Sequence, residues 1–248
     1  MARDLFDAYR RILATTGSDE VWWWYFGTLT VEADGLPAVP LLEAETIMAY
    51  RTQELSPDSF RIHWREIGYF RDPRTGEIAA PFVNPITGQL LTPPRAFLEG
   101  PGHYTITRTA DGVRLDIVQP HANIQGADVT LRELPDGRVL LQQTERKIRG
   151  LPLPDGTMPK EGVQARTVLS FFANAADLDK PSARAEGSYS FTLDGLAPWL
   201  GLGAYTGRSV VNGILTKSTP AENQNATAQT RLLDLFPQFR KERLAPIV

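Results

Sequence analysis

The chain begins with one stretch of helical periodicity and then changes to the alternation of β-strands. Apolar residues recur at spacings of one and three over 4–14, and Gly17 follows as a helix stop. From Val21 onwards, aromatic and β-branched residues alternate with polar residues between turn-forming segments. This pattern predicts an N-terminal helix followed by a protein built from strands.

About ten segments have the length and composition of strands. They are 21–31, 45–52, 60–71, 78–83, 103–109, 113–118, 128–134, 138–148, 163–172 and 185–193. No helix-length segment lies between any two of them, which argues against a parallel sheet. The regular spacing of the turn signals is typical of an antiparallel barrel or sandwich.

Two short turns in the chain resemble each other. Asp-Pro-Arg-Thr-Gly occupies 72–76, and Asn-Pro-Ile-Thr-Gly occupies 84–88. Proline fixes φ early in each turn and glycine accepts a positive φ at its end, so both segments predict tight reversals. Asp-Gly connections within 109–112 and 135–137 predict two further hairpins.

We therefore predict one all-β domain over 1–248, a single antiparallel β-barrel of the lipocalin-like kind. Its parts are an N-terminal helix in 1–17, the barrel in 21–193, and a rim loop with a C-terminal helical tail in 194–248. The helix of the tail is predicted over 221–236, before Pro237. A two-sheet β-sandwich is the alternative. A barrel of this strand number can enclose one small ligand.

The composition excludes several kinds of site and partner. The 248 residues include no cysteine, which excludes disulfides, thiolate metal sites and cysteine nucleophiles. The net charge of −3 argues against a large basic surface for nucleic acid. The N-terminus lacks the apolar core of a signal peptide, and no run reaches the ~20 apolar residues of a membrane helix. We expect a cytoplasmic protein with neither nucleic-acid nor membrane partners, and a homodimer remains open.

The segment 60–71 has the most distinctive charge pattern, because its side chains alternate between two faces. One face has Phe60, Ile62, Trp64, Glu66, Gly68 and Phe70; the other has Arg61, His63, Arg65, Ile67, Tyr69 and Arg71. If the basic face lines a barrel, it suits an acidic or carbonyl oxygen. If the apolar face does, burial among aromatic rings would raise the pKa of Glu66 and suit it to acid–base work. The alternation also fits a plain solvated face, and it leaves the inward face open.

Aromatic residues are concentrated in the first predicted strand. Trp22, Trp24 and Phe26 share one face of it, and Trp23 and Tyr25 share the other. Such large rings either belong to the core or line a pocket for a flat apolar ligand.

A glycine-rich segment follows the last predicted strand and includes Trp199, Tyr205 and Arg208. Glycines permit both close packing and movement, so the segment predicts a lid over a ligand. The alternative is a loop that simply packs on the end of the barrel.

Histidine is scarce, with only His63, His103 and His121 in the chain. No H-x-H or HExxH motif occurs, and His63 points to the opposite strand face from Glu66, so a metal centre would need convergence inside a barrel. His121 follows a strand end and suits proton transfer near neutral pH, although each histidine also fits an ordinary structural hydrogen bond.

No nucleotide-binding glycine motif and no nucleophile elbow occur. We predict no cofactor and no metal.

These observations predict a cofactor-independent enzyme, a lyase, isomerase or cyclase acting on a hydrophobic aromatic small molecule by acid–base chemistry. The predicted catalytic residues are His63 or His121 as base, Glu66 as acid, Arg65 or Arg71 for a developing oxyanion, and Tyr69 as hydrogen-bond donor. The predicted substrate-binding residues are Trp22, Trp24, Trp64, Asn84, His103, Trp199, Tyr205 and Arg208. A non-catalytic carrier or sensor with the same pocket is the alternative, and a purely structural role through an apolar patch near Trp199 is a third.

Several motifs of the chain occur together in a known family. They are W-W-Y-F-G at 23–27, I-G-Y-F-R-D-P-R-T-G-E at 67–77, N-P-I-T-G at 84–88 and P-W-L-G-L-G at 198–203. With these motifs the chain resembles the bacterial domain of unknown function 1838 family over nearly its whole length. The resemblance implies one domain of mostly antiparallel β structure and brings no activity with it. Many members of that family are exported, and this chain differs from them in lacking a predicted leader.

Overall fold

The computed structural model describes residues 3–93, 97–150 and 162–218, with only the backbone at 97 and 98. The predicted helix over 221–236 therefore lies outside the described residues. The helical elements are α1 (Leu5–Leu13) and two 3₁₀ turns, Ala175–Asp179 and Pro198–Leu200. The strands are β1 (Val21–Ala33), β2 (Val39–Ser56), β3 (Ser59–Arg71), β4 (Phe82–Val83), β5 (Leu90–Leu91), β6 (Phe97–Thr109), β7 (Gly112–Val118), β8 (Ala122–Glu133), β9 (Arg138–Arg149), β10 (Val163–Asn174), β11 (Ala185–Leu193) and β12 (Gly207–Ser218).

The ten long strands form one antiparallel sheet that is nearly closed into a barrel. Its spatial order is β7-β6-β3-β2-β1-β12-β11-β10-β9-β8, so the first and last long strands of the chain pair with each other. β7 and β8 lie side by side at the remaining seam without a hydrogen-bonded ladder. β4 and β5 form a separate hairpin. The prediction of a single all-β barrel is confirmed, and the sandwich alternative is not what the chain adopts.

Helix α1 covers one end of the barrel. Its N-terminus is capped by Asp4, which accepts a 2.9 Å hydrogen bond from the backbone N–H of Phe6. The apolar stripe predicted from the sequence is buried, and Phe6 packs edge-on against Phe60 of β3 with ring centroids 4.8 Å apart. Barrel side chains satisfy the last carbonyls of the helix: Trp23 Nε1 donates to Leu13 O at 2.8 Å, and Lys217 Nζ donates to Arg11 O and Ala14 O at 2.7 Å.

The two similar turns lie near the opposite end and are confirmed as tight reversals. In each turn the fifth residue donates a 2.8 Å backbone hydrogen bond to the first, and Gly76 and Gly88 both have φ of +70°. The segment between them is not the strand predicted over 78–83. It forms only an isolated bridge at Ile78 and the two-residue β4, because two reversals so close together leave little chain for pairing.

The strand β12 was not predicted, because 194–248 was expected to hold a rim loop and a helical tail. The segment 207–218 instead pairs with both β1 and β11, and it extends the barrel to Ser218. Gly207 and Gly213 interrupt its alternation of apolar residues, and this obscured the strand pattern.

Glycines at the β1–β12 junction make room for an aromatic ring. Gly27 and Gly213 lie directly opposite each other in the register, and the Tyr25 ring lies across both. A Cβ on Gly27 would lie 2.6 Å from Tyr25 Cζ and 2.5 Å from the carbonyl oxygen of Asn212. Closure of the barrel with Tyr25 inside it therefore requires a residue without a side chain at this position.

We predict that Gly27→Ala lowers the free energy of unfolding by roughly 1–3 kcal/mol, because the added methyl group overpacks this junction. Gly203→Ala is the matched control, since no atom lies within 4 Å of a Cβ there. It should change stability by less than about 0.5 kcal/mol. Urea denaturation measures both, and equal losses would contradict a closure that depends on Gly27.

Candidate functional site

The barrel determines which face of β3 points inward. Phe60, Ile62 and Trp64 are buried in the same core cluster as the α1 residues, so Glu66 on the same face also points inside. The opposite face, which carries the predicted basic set, points outward. Of the two arrangements left open by the sequence, the structure has Glu66 facing the interior.

Part of the barrel interior beyond the α1 end is accessible to solvent. Five inward-facing side chains there keep partial accessibility, although the core residues nearer α1 are buried: Met48, Glu66, Arg149, Tyr189 and Phe191. Side chains on the enclosed face of a nearly closed wall are accessible only where solvent enters at the unpaired seam or at an end of the barrel. We call the space between these residues the chamber.

Aromatic rings of the core pack next to the chamber on two sides. On one side, Trp64 and Tyr104 stack with centroids 6.2 Å apart, and Tyr50 lies 6.4 Å from Tyr104. Across the interior, Tyr25 and Tyr189 meet edge to face at 5.2 Å. Trp64 has this position because Gly102, its cross-strand neighbour, leaves room for the indole ring.

The carboxylate of Glu66 interacts electrostatically with several of these rings. Burial raises its pKa above the usual value for glutamate, while the positive charges of Arg149 and Lys147 act in the opposite direction. Burial also raises the pKa values of four surrounding tyrosines, and the Glu66 charge adds to each of those increases: Tyr25, Tyr50, Tyr104 and Tyr189. Glu66 forms no salt bridge with any described residue.

A continuous chain of polar side chains runs from α1 through the interior to the far end of β9. Its hydrogen bonds join Tyr9 to Gln143 (2.5 Å), Gln143 to Glu145 (2.6 Å), Lys147 to Glu145 (3.0 Å), Lys147 to Gln119 (2.8 Å), Gln119 to Glu99 (3.4 Å), and Arg149 to Glu99. The side chains of Glu145 and Lys147 are only 3% and 4% exposed, so this pair is fully enclosed. Each cation of the network thus has its own carboxylate, and Glu66 has none.

Several inward-facing polar atoms near the chamber have no hydrogen-bond partner among the described residues. They are Tyr25 Oη, Trp64 Nε1 and Thr167 Oγ1. Buried donors are normally paired, because an unpaired one costs the free energy of its lost hydration.

A different part of the predicted site forms a compact cluster on the outer face. Glu45, which is 3% exposed, accepts hydrogen bonds from Tyr69 Oη at 2.5 Å, Trp24 Nε1 at 3.1 Å and Arg71 Nη1 at 3.2 Å. Arg71 also donates to the carbonyl of Gly76. The oxygens of Glu45 are therefore occupied, and the cluster attaches the first tight turn to the barrel wall.

The histidines lie outside the chamber. His63 Nε2 is 3.0 Å from Gln53 Oε1, and its ring lies 5.9 Å from that of His103 on the outer face of β3 and β6. Burial lowers the pKa of both below the usual value for histidine. His121 is exposed in the turn between β7 and β8, with a positive φ of 56°. The structure thus separates all three from Glu66, as it does Arg65.

The remaining predicted binding residues have other contacts. Trp22 Nε1 donates to Glu20 on the outer face at 2.5 Å, and Arg208 pairs with Glu32. The Asn84 amide donates to Leu200 O, and its oxygen accepts from the N–H of Ile86. Trp199 and Tyr205 pack in the apolar cluster at the end opposite α1. Of all the predicted site residues, the structure brings only Trp64 and Glu66 to the chamber.

Sequence reasoning missed the polar residues of β9. In 139–149, the charged side chains Glu145, Lys147 and Arg149 continue the face that begins with Val139 and Leu141. This alternation was the available signal, because residues two apart on a strand share a face.

Within 3–93, 97–150 and 162–218, no group of three or more histidine or acidic side chains could hold a metal ion. None of the described helices is long and apolar enough to cross a bilayer.

Comparison with protein-family models gives no match, and comparison with curated proteins finds no relative. The resemblance to the domain of unknown function 1838 family therefore stays a prediction.

The buried Glu145–Lys147 pair provides a test of the network. We predict that Lys147→Met lowers the free energy of unfolding by roughly 3–5 kcal/mol, because it leaves Glu145 buried without a counter-ion. Adding Glu145→Gln should restore part of this loss. Arg114→Met, in an exposed pair with Asp116, should change stability by less than about 0.5 kcal/mol. Chemical denaturation at neutral pH measures all three, and a double variant as unstable as Lys147→Met would contradict the explanation.

Proposed function

We propose that the protein binds a hydrophobic, aromatic small molecule inside the barrel. The observation that carries this proposal is the chamber, a water-accessible interior lined by aromatic rings. Ligand sites are typically concave and mostly apolar, with a few polar groups that fix orientation. The rings of Trp64, Tyr104 and Tyr189 offer flat apolar surfaces, and the unpaired donors supply the polar groups.

The seam between β7 and β8 supports a route into the chamber. These two strands have no ladder between them, and neither contains a buried residue. Val118, at the end of β7, is 53% exposed. Opening the seam further breaks no inter-strand hydrogen bonds, so a ligand can enter there at lower cost than through any paired part of the wall.

We predict saturable quenching of tryptophan fluorescence when planar phenolic compounds are added to the full chain. Trp64→Phe should remove most of the ligand-dependent signal, because this indole faces the chamber. Trp22→Phe is the matched control, since Trp22 lies on the outer face and its loss should leave the response intact. No response from any aromatic compound, or a response that depends on Trp22, would contradict binding in the chamber.

A second candidate function is a cofactor-independent lyase, isomerase or cyclase acting on such a molecule. The specific observation in its favour is Glu66, whose burial raises its pKa and so favours the protonated form, which can donate a proton. In this proposal Glu66 transfers the proton, and the free donors of Tyr25 and Trp64 stabilise negative charge that develops on a substrate oxygen. A cytoplasmic location and a homodimer stay predictions.

If the protein is such an enzyme, Glu66→Gln should reduce turnover by roughly 10²–10⁴-fold, whereas His63→Ala should leave it nearly unchanged. With Glu66 as the acid, the rate should be highest at low pH. It should fall as the pH rises through a value above the ordinary pKa of glutamate. Mass spectrometry of products from the bound aromatic compounds gives the rates. Binding without any product would favour the carrier, and a loss of turnover in His63→Ala would contradict this assignment.

A further inference from the structure

The charges that surround the chamber do not balance. Among the described residues, the interior beyond the α1 end contains the carboxylates of Glu66, Glu99 and Glu145 and two cations, Lys147 and Arg149. The third inward-facing cation, Lys217, lies under α1, where it donates to the carbonyls of Arg11 and Ala14. Lys147 pairs with Glu145 at 3.0 Å, and Arg149 pairs with Glu99. Glu66 is therefore the carboxylate without a counter-ion, and it is also a partly accessible one.

The surroundings of Glu66 suit a positive charge. Met48 is the cross-strand neighbour of Glu66, and two positions along β2 lies Tyr50, the neighbour of Trp64, whose ring stacks with that of Tyr104 at 6.2 Å. The charge of Glu66 also adds to the raised pKa values of four tyrosines from four different strands: Tyr25, Tyr50, Tyr104 and Tyr189. The faces of aromatic rings carry negative electrostatic potential and attract organic cations, and the attraction increases when water is excluded. A carboxylate within a group of such rings is the arrangement expected for recognition of an ammonium group.

We propose that the ligand of the chamber carries a protonated or quaternary ammonium group, which lies against Glu66 among these rings. This inference rests on the proposed function, because it names the class of molecule that the chamber takes. The aromatic or apolar part of the ligand contacts the remaining ring surfaces, and the cation completes the charge balance of the interior.

Lys147 and Arg149 do not make the chamber a site for anions. Each has a carboxylate partner, and both lie near the Phe191 ring, at 5.9 Å and 5.6 Å from its centroid. An anionic ligand would have to displace Glu145 or Glu99 and leave that carboxylate without its partner. Breaking a buried pair in this way is unfavourable, so the cationic ligand is the one that the geometry favours.

The binding of a cation is coupled to the protonation of Glu66. The titratable groups that face it are Tyr25 of β1, Tyr50 of β2, Glu99 and Tyr104 of β6, Lys147 and Arg149 of β9, and Tyr189 of β11. Glu99 is its direct cross-strand neighbour and is paired with Arg149. Burial raises the pKa of Glu66, and an adjacent cation lowers it again. A ligand of fixed charge should therefore displace a proton and bind more tightly as the pH rises towards and through the raised pKa.

The test uses three probes of similar size: benzyltrimethylammonium, its uncharged isostere neopentylbenzene, and the anion phenylacetate. Isothermal titration calorimetry with the full chain measures their affinities, with competition for the least soluble probe. We expect the ammonium probe to bind at least about tenfold more tightly than either of the others. Its affinity should rise with pH, and that of neopentylbenzene should not.

Glu66→Gln should abolish both the ammonium preference and its pH dependence while retaining the affinity for neopentylbenzene. Glu186→Gln removes the same charge from the outside of the barrel, where the Glu186 side chain is 73% exposed, and should behave like the unchanged protein. Thermal melts establish that both variants are folded.

The outcomes separate this inference from the function on which it rests. If neopentylbenzene or phenylacetate binds as tightly as the ammonium probe, the inference is overturned and the chamber remains a binding site. An ammonium preference that survives in Glu66→Gln overturns it as well. If none of the three probes binds and the phenolic compounds also fail, the proposed function itself is contradicted.

Discussion

Pairing of β1 with β12 joins the two halves of the sheet and encloses one of its faces. The remaining features of the molecule depend on this pairing. Without that pairing the long strands would form two five-stranded sheets, β7-β6-β3-β2-β1 and β12-β11-β10-β9-β8, and either face of each could be solvated. Once the first and last long strands pair, one face of every strand is enclosed. The junction is possible because Gly27 and Gly213 allow the Tyr25 ring to lie flat against the wall. Closure therefore brings Glu66, the tyrosines and the charged half of β9 into one volume.

The interior has two apolar ends and a polar side. Near α1 it is a dense apolar core, in which rings such as Phe6, Phe60 and Trp23 fill the space beneath the helix. A second apolar cluster, which includes Leu29 and Val31, occupies the end opposite α1. The inward face of β9 carries polar side chains that are linked in one network. Buried polar groups are tolerated when every member is hydrogen-bonded, and the chain from Tyr9 to Arg149 meets that condition. The apolar ends thus provide stability, and the network keeps the β9 side polar without unpaired cations.

The sequence predicted the secondary-structure elements better than it predicted how they pair and which of their faces point inward. Helix α1, most strands and both Pro-x-Thr-Gly turns follow from local patterns, because these depend on residues close together in the chain. Gly213 obscured the strand over 207–218 in the sequence. A glycine is needed at this position because the Tyr25 ring packs against it in the folded barrel. The site depended still more on tertiary structure. The two faces of β3 could be predicted, but only closure determines that Glu66 points inward and His63 outward. In the sequence, the charged residues at the end of β9 resemble a solvated strand end. Only closure of the barrel shows that they are enclosed.

Two buried carboxylates of this chain show how differently the fold treats the same group. Glu45, on the outer face, accepts hydrogen bonds from Trp24, Tyr69 and Arg71. Donors within the protein therefore satisfy its carboxylate oxygens. Glu66 lies on the neighbouring strand, three register positions from the pair of Glu45 with Tyr69, yet it has no salt bridge among the described residues, and burial disfavours its charge. A group with a raised pKa of this kind costs stability as pH rises, because the folded state resists losing a proton that the unfolded chain gives up readily. A hydrophobic residue of similar size would avoid that cost. This difference from Glu45, whose oxygens are occupied by donors of the protein, is the physical basis of the proposal that Glu66 contacts a ligand.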